Sequence, residues 1–196
     1  MLFAIVMCVL LLAGVYRPSG WGMPLLVRGL ALSFLAAIFE EVVFRGFLFR
    51  LTAQLAGTWG ALLFTSLLFG AAHAFNPNAT VLSSLAIALE AGILLGGAFA
   101  ATGRLWMPIG LHAGWNFAEG SLFSMSVSGD AAEPAGLIHG RLSGPTILTG
   151  GSFGPEASVI AVIVCLAASS LFLRRMIRTD AIEKPLWKHA ETTAKR

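Results

Sequence analysis

The sequence predicts an all-α membrane protein, a polytopic bundle of about six spanning or near-spanning helices. Three observations carry that expectation. Of 196 residues, 57% are apolar and only 12% are charged, where a soluble domain carries about a quarter. The mean hydropathy is +0.81. Apolar runs fall at roughly 2–16, 29–49, 59–75, 80–101, 105–124 and 157–173, each long enough to cross or nearly cross a bilayer. The runs lack the period-two alternation of a transmembrane barrel, which leaves helices as the way to pair backbone groups in lipid. A disordered segment, a coiled coil and an ordinary cytosolic enzyme are excluded by the same figures.

Residues 1–16, MLFAIVMCVLLLAGVY, have neither the basic start nor the small-residue cleavage site of a signal peptide. They read as a first membrane helix, one that either begins upstream or runs on through Trp21 to Leu26. Breaks between runs carry turn chemistry at Arg17-Pro18-Ser19-Gly20, Asn76-Pro77-Asn78 and Thr102-Gly103-Arg104. Gly92 and Gly96, with Gly97 beside them, form a small-residue face that lets helices approach closely. Segment 125–156 holds seven glycines and three prolines and reads as a loop too polar to span. At its end, Pro155 and Glu156 are expected in the first turn of the last helix.

Residues 1–173 are therefore expected to form one transmembrane domain, and 174–196 a basic tail. That tail holds seven of the 13 Lys and Arg residues, so the net charge of +3 reads as a cationic segment beside lipid headgroups, with no nucleic-acid partner. Six crossings put both termini on one side, and the positive-inside rule makes that side cytoplasmic. Cys8 and Cys165 both fall in apolar runs and read as small buried core residues, without the spacing of a disulfide framework or thiolate metal site.

Ionisable side chains inside a bilayer are costly and usually functional. The second run contains Glu40-Glu41-Val42-Val43-Phe44-Arg45. Glu41 and Arg45, four apart, share a helix face and can pair. Glu40 points about 100° away and is left without that partner, a setting that suits a general base. In the third run Phe69 and His73 are again four apart, so the ring can floor the imidazole. In the fifth, His112 and Asn116 put two polar groups on one face, and Glu119 extends their stripe by a turn. Glu90 sits near the middle of the fourth run. Glu90 and Glu119 are candidate hydrogen-bond partners of the site.

The segments EEVVFR (40–45), FGAAH (69–73) and HAGWN (112–116) together resemble the CPBP family, the CAAX-protease and bacteriocin-processing (Abi) intramembrane endopeptidases. That family carries Glu-Glu-x-x-x-Arg, Phe-x-x-x-His and His-x-x-x-Asn/Asp on separate transmembrane helices. The resemblance covers about 29–124, the motif core. It implies peptide-bond hydrolysis in or at the membrane: Glu40, assisted by His73, activates water, while His112 and Asn116 stabilise the oxyanion and Arg45 with Glu41 supports the helix. The implied substrates are membrane proteins or lipidated peptides, and the chain suits a bacterial plasma membrane. Members are usually classed as metallopeptidases. Glu40, His73 and His112 can ligate zinc with water as fourth ligand, but Asn is a poor zinc ligand and no His-Glu-x-x-His helix is present. A zinc centre and a metal-free glutamate mechanism therefore both stay open. The rival readings are an inactive family member acting as an immunity or adaptor protein, and a small channel or transporter, since buried Glu, His and Arg also build ion paths.

Overall fold

The computed structural model describes residues 2–23, 25–130 and 136–188. Helix α1 spans Leu2–Leu12 and does not run on toward Leu26. Instead Tyr16–Trp21 forms strand β1, antiparallel to β2, Ile138–Leu142, with a register shift between Pro18 and Gly20. The chain is thus mostly but not wholly helical, and the Arg17–Gly20 string is strand rather than turn. Pro18 has no N–H for a ladder, so the string reads as a break. In a two-stranded ribbon every strand has a free edge, and a bulge absorbs the proline. The ribbon is anchored by Tyr16, buried in the core with Phe3, Val6, Met7 and Leu10 of α1.

Helix α2, Leu26–Glu41, passes into a π-helical turn, Val42–Phe49, and then into α3, Arg50–Ala72. Gly57 breaks α3 with φ 75° and ψ 171°, a conformation that glycine alone adopts at low cost. The boundary between the second and third apolar runs lies there. After a 3-10 turn, His73–Phe75, helix α4, Val81–Ile87, starts on a reciprocal cap. The Ser83 N–H donates to Thr80 Oγ1 at 3.0 Å and the Thr80 N–H to Ser83 Oγ at 2.8 Å. A π-helical turn, Ala88–Gly92, joins α4 to α5, Ile93–Thr102, and Gly103 ends the rod in a left-handed conformation at φ 66°. Helix α6, Trp106–Asn116, again continues as a π-helical turn, Phe117–Leu122.

The segment expected to be a plain loop contains β2 and a short helix α7, Thr146–Thr149. It ends in a 3-10 turn, Pro155–Ala157, and α8 covers Val159–Arg178. Pro155 and Glu156 therefore precede the last helix rather than open it. The extended Ser158 caps α8, accepting from the Ala161 N–H at 3.1 Å. Of the tail, only residues to 188 are described.

The packing is that of a membrane protein. The rods Val81–Thr102 and Val159–Arg178, with mean hydropathies of 1.8 and 2.0, are long and apolar enough to cross a bilayer. Phe39, Phe47, Leu51, Leu63, Phe64, Ile163 and Leu171 point outward, while Glu41, Arg45, Glu90, Glu119 and Glu156 are buried. Apolar side chains outside, with ionisable ones withdrawn inside, is the pattern that lipid favours. Cys8 faces outward too, contrary to the buried position expected for it, because α1 turns Phe3, Val6, Met7 and Leu10 inward instead; Cys165 is buried.

The glycine face performs as expected. A Cβ on Gly92 would lie 2.7 Å from Ser66 Cβ, and one on Gly96 would lie 2.7 Å from Leu62 Cδ1. Gly92→Val should push the α4–α5 rod off α3 and destabilise the fold by about 1–3 kcal/mol. Melting in detergent checks this, with Gly110→Ala, where a Cβ meets nothing within 4 Å, as the tolerated control.

Candidate active site

The pair predicted from i, i+4 spacing is formed where α2 widens into its π-helical turn. Arg45 Nη1 donates to Glu41 Oε1 at 2.7 Å, and both side chains are fully buried. Arg45 Nη2 donates to the Ala91 and Gly92 carbonyls at 3.2 and 3.3 Å, tying α2 to the π-helical turn of the α4–α5 rod. The guanidinium also lies 4.5 Å from the Phe69 ring centroid, a contact strengthened by desolvation. A buried charge without such partners would be strongly destabilising.

Glu41 has a second partner that helical spacing alone does not disclose. Nδ1 of His112, from α6, lies 2.9 Å from Glu41 Oε1. A carboxylate only accepts, so Nδ1 carries the proton and donates, leaving Nε2 as the free face of the imidazole. That face meets Glu40: Nε2 and Glu40 Oε2 are 3.9 Å apart. Glu40 keeps 28% of its side chain exposed, and Oε2 has no hydrogen-bond partner among the described residues. The adjacent carboxylates thus take different positions on one histidine, Glu41 clamped behind it and Glu40 open in front.

His73 is fixed by its own helix. Its Nδ1 lies 2.8 Å from the Phe69 carbonyl oxygen, which can only accept, so Nδ1 donates and Nε2 is free. Phe69 floors the imidazole, with ring centroids 4.6 Å apart, and meets His112 edge-on at 6.1 Å. One phenyl ring therefore touches His73, His112 and Arg45 together.

Phe69, His73, Glu90, His112 and Asn116 line one cavity of about 30 Å³, room for about one water. Asn116 also borders a larger cavity of about 360 Å³, walled by Leu32, Ser33 and Ala36 of α2 and by Gly120 and Ser121 beyond α6. Glu40 does not line the small cavity and reaches it through His112. Glu119 sits behind, fully buried, and neither of its carboxyl oxygens has a hydrogen-bond partner among the described residues. The small cavity has one further acidic wall, Glu156, with Ser128 beside it. Sequence reasoning assigned Glu156 to helix initiation, and its single signal was an acidic residue beside an apolar span.

Among the described residues, no three His, Cys, Asp or Glu side chains form a group that could hold a metal ion, whereas catalytic zinc needs three protein ligands about 2.0–2.2 Å away.

A family model described as type II CAAX prenyl endopeptidase Rce1-like matches residues 21–118, half of the chain. No curated protein matches, and no solved structure does.

Proposed function

The chain belongs to the Rce1-like family of type II CAAX prenyl endopeptidases, and from that premise we propose that it hydrolyses peptide bonds of membrane proteins or lipidated peptides through Glu40, His73, His112 and Asn116. The observation that carries this reading is the meeting of Glu40 and Glu41 at His112, next to a water-sized cavity shared by His73 and Asn116.

In the proposed reaction a water stands between Glu40 and the free Nε2 of His73. Glu40 takes one proton as the water oxygen attacks the scissile carbonyl, and His73 accepts the hydrogen bond of the second. The carbonyl oxygen becomes an oxyanion. The Asn116 amide donates to it, and so does Nε2–H of a His112 ring that has taken a second proton from solvent before the attack, its charge compensated by Glu41. The C–N bond then breaks, Glu40 returns its proton to the leaving amine, and His73 takes the second water proton as the acid ionises and passes it to solvent when the products leave. Water-derived oxygen ends on the new carboxylate.

The rods carrying these side chains, α2, α3 and α6, together with the α4–α5 rod, α1 and α8, would make six crossings with the tail on the cytoplasmic side of a bacterial plasma membrane. A quenched prenyl-peptide and a quenched transmembrane-helix peptide, offered to the purified protein in lipid nanodiscs, test the activity. Cleavage of neither would end the proposal. No step requires zinc, so activity should survive exhaustive chelation within about twofold. Loss on chelation and recovery with added zinc would replace this mechanism with a metallopeptidase one.

A further inference from the structure

The Glu156 carboxyl is 2% exposed and lies in the turn ahead of α8, far in sequence from the three motifs. It nevertheless lines the small cavity with His73, His112 and Asn116. Its position is fixed by the loop 125–130. Asn76 and Asn78, just after His73, donate to the Ser128 and Gly129 carbonyls at 2.9 and 3.0 Å, and the Gly129 N–H donates to the Phe153 carbonyl at 2.9 Å. A Cβ on Gly129 would lie 1.9 Å from the Pro77 carbonyl oxygen, so the loop seats tightly on the turn that follows His73. Ser128 is thereby brought to the wall of the cavity that Glu156 lines.

Glu90, Glu119 and Glu156 are buried neighbours that act on one another. Of these groups, Glu156 shares the cavity wall with His73 and Ser128. His73 is a basic side chain across that cavity, and Glu156 Oε1 has no hydrogen-bond partner among the described residues.

Resting on the hydrolytic reading above, we propose that Glu156 is a positioning residue of the reaction, the counter-charge for His73. As His73 draws on the second proton of the attacking water, its ring gains positive charge. The Glu156 carboxylate on the far wall compensates that charge and holds the ring against Phe69. No bond to Glu156 forms or breaks. Around His73 the other titratable groups are Glu90 on the α4–α5 rod, His112 on α6 and Cys165 on α8, all on the same cavity, with Glu119 behind them and Arg45 beyond Phe69.

The test is steady-state cleavage of the quenched peptides by full-length protein in nanodiscs, with melting measured in parallel. Glu156→Gln should lower kcat about 10–100-fold with KM within twofold and melting unchanged, and Glu156→Asp should restore part of kcat. A well-folded Glu156→Gln with wild-type kcat overturns the inference and leaves the endopeptidase reading intact. Glu156→Gln and Glu156→Asp both inactive with a lowered melting point also overturn it, since the role is then structural. A wild-type chain that cleaves neither peptide removes the hydrolytic reading, and this inference with it.

Discussion

Replacing Glu40 by Gln is expected to reduce cleavage of a membrane peptide by about 10²–10⁴-fold, the usual contribution of a general base, while the protein still folds. The substitution keeps the volume of the side chain and removes its ability to take a proton. Folding is spared because Glu40 is more than a quarter exposed and its Oε2 makes no hydrogen bond among the described residues. Nothing buried is orphaned when its charge disappears. Single-turnover cleavage in nanodiscs measures the loss, and thermal melting of the same preparation measures the fold. A Glu40→Gln protein that cleaves at the wild-type rate would mean that the base lies elsewhere, and Glu156 would be the next carboxylate to test.

Arg45→Met should give the largest loss of stability. Arg45 is fully buried and serves four partners at once: Glu41, the Ala91 and Gly92 carbonyls, and the face of Phe69. Truncation leaves Glu41 buried with His112 as its one remaining partner, and stranding half of a buried ion pair costs about 3–5 kcal/mol. Low yield and a sharply lowered melting point in detergent are expected, with activity lost as a consequence. The double variant Glu41→Gln/Arg45→Met removes the stranded charge and should recover a good part of the melting loss, yet stay impaired in catalysis because His112 loses its carboxylate. If Arg45→Met melts like the wild type, the cross-link between α2 and the α4–α5 rod is not what holds these elements together.

Much of this site was legible in one dimension. Glu41 with Arg45 and Phe69 with His73 are contacts within one helix, so spacing along the chain fixes them. The glycines that let the α4–α5 rod approach α3 were also visible, since a missing side chain means the same thing in any helix. The bond between Glu41 and His112 spans 71 residues and has no local signature. The π-helical turns at Val42–Phe49, Ala88–Gly92 and Phe117–Leu122 were equally hidden, because a periodicity count assumes 3.6 residues per turn throughout. Each widened turn lies at or beside a buried ionisable residue, where such irregularities are frequent. The β1–β2 ribbon was misread because Pro18 argues against a strand unless a partner strand and a bulge are already known.

What the sequence determined alone is therefore the set of apolar rods, the polar residues that lipid would not tolerate without purpose, and the facing of groups one helical turn apart. Covalent geometry transmits those from neighbour to neighbour. The tertiary structure alone decided that Glu41 clamps His112, that Glu40 is left open before it, and that the loop between α6 and α8 returns to place Ser128 and Glu156 beside His73. These depend on which rods touch and at what height, which is set by packing of the glycine faces and by a few backbone hydrogen bonds between distant segments, and no local spacing encodes that.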